Sequence, residues 1–199
     1  MYINQSIQKY IDDLSARKPV PGGGSAGALC GAIGVGLLQM VCNFTIGSDE
    51  HKNIQKDLEV SLGNLETIKA DFMSLVDDDV EIYNEIRKAF KSKDKKIIDN
   101  SLKQGYYICL KLCKSASKAL CLAVELGEKG SAKLITDVGC GAEALMAAFN
   151  AGIFNCKINL KDLKDPVFLE QELSVLSELV NKTRPLYEEA IKKTNERMK

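Results

Sequence analysis

The chain has 199 residues, 45% of them hydrophobic, and its 27 Lys and Arg balance 27 Asp and Glu for a formal charge of zero. That length suits one domain with a substantial core, and basic residues dispersed without a cluster argue against nucleic acid as the main partner. Seven cysteines without a Cys-x-x-Cys pair, beside the single histidine His51, offer no zinc pattern; they read as small apolar residues of a reducing compartment, so no metal and a cytoplasmic location are expected.

Helical periodicity dominates and alternating strand patterns are nearly absent, which predicts an all-α, single-domain bundle of about six helices over 1–199. The predicted helices run at about 4–16, 25–45, 50–92, 96–126, 131–154 and 166–197. The N-terminal residues Met1 to Gln5 lack the basic start and apolar run of a secretion signal.

Between the first two helices stands Pro19-Val20-Pro21-Gly22-Gly23-Gly24-Ser25. The prolines stop the first helix, the glycines permit close backbone approach, and Ser25 is placed to cap the second helix. The result is either a tight turn or a helix N-terminus open to a ligand's polar atoms. It is not a P-loop, since no lysine occurs before Lys52, nor a dinucleotide fingerprint, since the preceding segment reads as helix.

The second helix, Ala26 to Phe44, is uncharged and nearly long enough to cross a bilayer. Its interspersed Gly27, Gly31, Gly34 and Gly36, with Gln39 and Asn43, fit better the centre of a packed bundle, so no membrane partner is expected. In the third helix Leu58, Leu62, Leu65, Ile68, Phe72, Leu75, Val76, Tyr83 and Ile86 make one apolar stripe. At about 100° per residue, Asp79 falls about 20° from Phe72, inside that stripe, whereas Asp77 and Asp78 lie about 140° and 120° away on the polar side. A carboxylate in an apolar seam must be paired, hydrogen-bonded or protonated, and desolvation raises its pKa. Asp79 is therefore either a satisfied structural acid or an acid–base catalyst.

The run Lys91 to Lys96 reads as a solvated turn before the fourth helix. In the fifth, Leu134, Val138, Gly141, Leu145, Ala148 and Gly152 share a face, with Asp137 about 60° from its centre. The sixth, mixed in charge, reads as a packing and interface element. One seam carboxylate, one edge carboxylate and a glycine-lined helix start point together to a small-molecule enzyme rather than a helical interaction module.

The chain also resembles the cyclodeaminase/cyclohydrolase family of folate one-carbon metabolism. That family comprises the C-terminal domain of formiminotransferase-cyclodeaminase and stand-alone methenyltetrahydrofolate cyclohydrolases. The resemblance rests on Pro19 to Ser25, Asn43-Phe44-Thr45, Leu75 to Tyr83 with Asp79 on the family's aspartate, Thr136-Asp137, and Asn155-Cys156-Lys157-Ile158-Asn159-Leu160. Val80, Cys109 and Ser131 depart from the family's usual alanine, proline and asparagine.

The resemblance implies a homodimer acting on tetrahydrofolate derivatives, with no cofactor beyond the folate substrate and no metal. It implies conversion of 5-formiminotetrahydrofolate to 5,10-methenyltetrahydrofolate with release of ammonia. Methenyltetrahydrofolate cyclohydrolase, yielding 10-formyltetrahydrofolate, is the alternative, and a non-catalytic helical folate-binding or interaction module a further one. Asp79 is the expected catalytic residue. Pro21, Gly22, Gly23, Gly24, Ser25, Asp137, Asn155 and Asn159 are the expected substrate-binding residues.

Overall fold

A computed structural model describes residues 1–199. It contains six α-helices and no strand: α1 (Ile7–Ser15), α2 (Gly23–Thr45), α3 (Gln55–Ser92), α4 (Lys95–Lys129), α5 (Ile135–Lys161) and α6 (Pro166–Arg197), with 3-10 turns at Tyr2–Asn4, Asp49–Ile54 and Ala132–Leu134. α2 packs against both α3 and α5, α4 closes the bundle against the same two helices, and α6 lies across α4 and α5. α2 is long and apolar enough to span a bilayer, yet its most apolar stretch is mostly buried inside the bundle.

Small residues bring these helices together. A Cβ on Gly31 would stand 2.2 Å from the Phe72 ring of α3, and one on Gly34 would stand 2.9 Å from the Gly141 carbonyl of α5. Phe72, Leu38, Leu65, Leu120 and Leu145 are fully enclosed around those crossings. Local chemistry sets several ends: the Asp94 carboxylate accepts the amides of Lys96 and Ile97 to start α4, and Asp165 accepts that of Phe168 with Pro166 opening α6.

Four expectations are corrected. α2 begins at Gly23 with Gly22 as its N-cap and no side-chain cap, so Ser25 does not cap it. The segment before Gln55 is a 3-10 turn in which His51 leaves helical geometry (φ −119°, ψ 21°). α5 runs on to Lys161, which puts Asn155 and Asn159 on a helix rather than in a loop. Cys121 and Cys140 are exposed, while Cys42, Cys109, Cys113 and Cys156 are buried as expected.

Candidate active site

Asp77 departs most from its helical-wheel position. It is 7% exposed, because the Tyr2–Asn4 turn folds over it: its carboxylate accepts the Tyr2 amide in a short hydrogen bond and the Ile3 amide at 3.2 Å. Asp78 is half-buried and accepts from the Ser74 hydroxyl at 2.8 Å. The acidic triplet thus holds an N-terminal clamp, a surface acid and a third member aimed at the glycine loop.

That third member, Asp79, is half-buried, and its Oδ2 accepts the Ser25 amide at 2.9 Å. Ser25 is the third residue of α2, so α3 supplies the acceptor that a cap side chain would otherwise provide. Gly24 makes this approach possible, since a Cβ there would fall 2.0 Å from Asp79 Oδ1. Burial raises the Asp79 carboxyl above its ordinary pKa, and the Ser25 amide pulls it only partly back.

The glycine loop is fixed from behind. The Ser25 hydroxyl is fully buried, donates to the Val76 carbonyl at 2.8 Å and pairs with the Tyr10 hydroxyl at 3.0 Å. Asp13 is ion-paired to Lys9 and Lys18 and accepts the Tyr2 hydroxyl at 3.1 Å, tying α1 to the start of the loop. Those lysines hold the Asp13 carboxyl well below the ordinary range. Pro21 is buried within the loop, after a cis Val20–Pro21 bond.

Beside Asp79 opens a cavity of about 310 Å³. Its polar groups come from Gly22 and Gly23 at the start of α2, Asp79 on α3, and Asn155, Asn159 and Asp162 at the end of α5. Its apolar wall is Ile82, Tyr83, Ile86 and Phe90 of α3 with Ile158 of α5. Asn155 and Asn159, one turn apart, anchor their amide nitrogens on the Ala151 carbonyl at 2.8 Å and the Asn155 carbonyl at 2.9 Å. An apolar pocket with a few convergent polar groups and one perturbed acid is the arrangement of a small-molecule site. A larger groove, about 660 Å³, lies over α4 between α3 and α6 with Lys114, Lys118 and Lys182 on its walls. It contains none of the expected catalytic or substrate-binding residues.

Of the expected residues, Asp79, Gly22, Gly23, Asn155 and Asn159 meet at this cavity, and Gly24 packs directly on Asp79. Pro21 and the Ser25 hydroxyl serve the loop from its buried side. Asp137 is half-buried in the first turn of α5, 18 residues and about 27 Å along the helix from Asn155, and does not line the cavity. The sequence places Tyr83 in the apolar stripe and gives Phe90 no role, yet both line the cavity. Their spacing from Asp79, four and eleven residues, was the signal that they share its helix face.

The fold and this cleft are those of an all-helical small-molecule enzyme. Residues 6–178 match the family model described as formiminotransferase-cyclodeaminase, and the chain belongs to that family. It is 30% identical over 194 residues to methenyltetrahydrofolate cyclohydrolase of Methylorubrum extorquens, covering 93% of each chain. It is 27% identical to formimidoyltransferase-cyclodeaminase of Rattus norvegicus, of which it spans 35%. Its structure superposes on that of formiminotetrahydrofolate cyclodeaminase from Thermotoga maritima with a TM-score of 0.96 at 25% identity, over the whole of both chains.

Proposed function

We propose that the protein converts 5-formiminotetrahydrofolate to 5,10-methenyltetrahydrofolate and ammonia, with Asp79 as the proton carrier. The N10 amine attacks the formimino carbon held on N5; the new C–N10 bond closes the ring and the bond to the formimino nitrogen breaks. An amine departs readily only once protonated, so a positioned acid is required. The observation that carries this reading is the Asp79 carboxyl itself: raised by burial, fixed by the Ser25 amide and facing a cavity of ligand size.

In this reading the Gly22 to Gly24 amides and the side chains of Asn155 and Asn159 meet the polar atoms of the pterin, while Tyr83 and Phe90 cover its flat apolar faces. Ammonia release from 5-formiminotetrahydrofolate, followed together with the rise of methenyl absorbance, tests it.

A second reading, hydrolysis of 5,10-methenyltetrahydrofolate to 10-formyltetrahydrofolate, is supported by the match of nearly equal length to a methenyltetrahydrofolate cyclohydrolase. There Asp79 acts as the base that activates water. The two reactions bend the pH profile in opposite senses: an acid loses rate as pH rises through its pKa, a base gains it. Folate binding without turnover in either assay indicates a non-catalytic binding module.

We further propose a homodimer. Along the outer face of α2 and α5, Ile33, Phe44, Phe154 and Ile158 are 55%, 69%, 71% and 56% exposed. Such a face calls for a cover. The exposed positions of α5 run from Cys140 to Ile158, with their midpoint level with Phe149, whose own side chain is buried. A second copy packed antiparallel about that centre sets its Asp137 beside Lys161 of the first, at the edge of the Asp79 cavity. Asp137 then binds substrate from the opposite subunit. Light scattering at a monomer mass, or an unchanged KM in Asp137→Ala, contradicts this arrangement.

A further inference from the structure

Three thiols lie where α4 crosses α5, next to the Asp79 cavity. Cys109 and Cys113 are one turn apart on α4, and Cys156 faces them from α5; their exposures are 4%, 0% and 0%. The Cys156 thiol donates to the Tyr106 carbonyl at 3.9 Å, one turn before Cys109, and Cys113 to the Phe149 carbonyl at 3.7 Å. The backbones nearly touch here: a Cβ on Gly152 would stand 3.3 Å from the Cys109 carbonyl and 2.5 Å from the Cys113 sulfur. Helices this close suit the short Cα separation that a disulfide needs.

Cys109 is the member of the cluster that lines the cavity, and its sulfur accepts a hydrogen bond from Asn159 Nδ2 at 3.7 Å. Cys109 meets the cavity while Cys156 is enclosed behind it, so the geometry orders the reaction as oxidation at the cavity wall first, then resolution from behind.

We propose that Cys109 is a reversible oxidation site, with Cys156 as its resolving thiol, and that the resulting α4–α5 disulfide disables the Asp79 cavity. The oxidant is hydrogen peroxide, small enough to enter the cavity. The Cys109 sulfur attacks the O–O bond, becomes a sulfenic acid, and the expelled hydroxide leaves as water with the thiol proton. The Cys156 sulfur then attacks that of Cys109; the S–S bond forms, and the departing hydroxide takes the Cys156 proton as a second water. Two thiols lose two electrons and one hydrogen peroxide gains them. The new bond turns the Cys109 sulfur away from Asn159, freeing a side chain that shapes the cavity.

The test uses the full-length chain carrying Cys121→Ser and Cys140→Ser, which removes the two exposed thiols. After stoichiometric hydrogen peroxide, peptide mapping is expected to show Cys109 linked to Cys156, with folate turnover lost and then restored by dithiothreitol. In Cys156→Ala, dimedone should trap a sulfenic acid at Cys109 instead. Absence of the linkage in the parent together with no dimedone adduct in the variant overturns the proposal, as does a linked protein with unchanged turnover. The linkage is read by mass, so it is judged separately from the folate reaction; the loss of turnover alone rests on the proposed function.

Discussion

Replacing Asp79 by Asn removes one proton and almost no volume. The Asn oxygen can still accept the Ser25 amide, now 2.9 Å from Asp79 Oδ2, so the start of α2 keeps its acceptor. A positioned general acid contributes about 10²–10⁴-fold to rate, or about 3–5 kcal/mol of barrier. Turnover should fall by that factor, while stability changes by no more than about 1 kcal/mol because the hydrogen bond survives.

The pH dependence gives a second handle. Burial raises the folded pKa of Asp79 above its unfolded value, so its stabilising contribution is complete below the ordinary carboxylate pKa and is lost as pH rises through the raised one. The Asn variant should therefore gain stability relative to the parent as pH rises, and should lack the limb of the rate profile that Asp79 controls. Ammonia release and methenyl absorbance across a pH series, with urea melts at each pH, measure both effects. A variant that turns over at the parent rate, or keeps the same pH limb, refutes the role of Asp79 in proton transfer.

Gly24→Ala should leave a folded protein with about 10²-fold lower turnover, because its Cβ would lie 2.0 Å from Asp79 Oδ1 and must push the carboxylate aside; melting and kinetics on one preparation separate the two effects. Ser25→Ala should cost about 1–3 kcal/mol in urea unfolding, since it leaves the Tyr10 hydroxyl without its buried partner, yet leave KM unchanged because the amide, not the hydroxyl, faces Asp79. Asp77→Ala should release the Tyr2–Asn4 turn, whose Tyr2 and Ile3 amides it accepts, and amide hydrogen exchange at those two residues should lose protection. Phe72→Ala should destabilise the chain by about 3–5 kcal/mol, as its ring fills the space over Gly31 at the α2–α3 crossing.

The number, order and approximate limits of the six helices were legible because each carries its own apolar repeat and is broken by proline, glycine or charged turns. Asp79 was legible for the same reason: its angle from Phe72 is a property of one helix. Asp77 was not, since the amides that bury it come from residues 2 and 3, some 75 positions away. Ser25 looked like a cap by residue type, but the Tyr10 hydroxyl and Val76 carbonyl claim its side chain. Cys109 looked like one apolar residue among seven similar ones until Asn159 of α5 met its sulfur.

By itself, then, the order of residues determined what each helix would bury and which acid would stand in an apolar seam, because periodicity is local and is set by the chain's own geometry. Only the tertiary structure decided that the start of α2, the middle of α3 and the end of α5 would meet around one cavity. Which donor reaches which acceptor depends on how closely helices pack, and here Gly24, Gly31 and Gly152 set those distances by lacking a side chain.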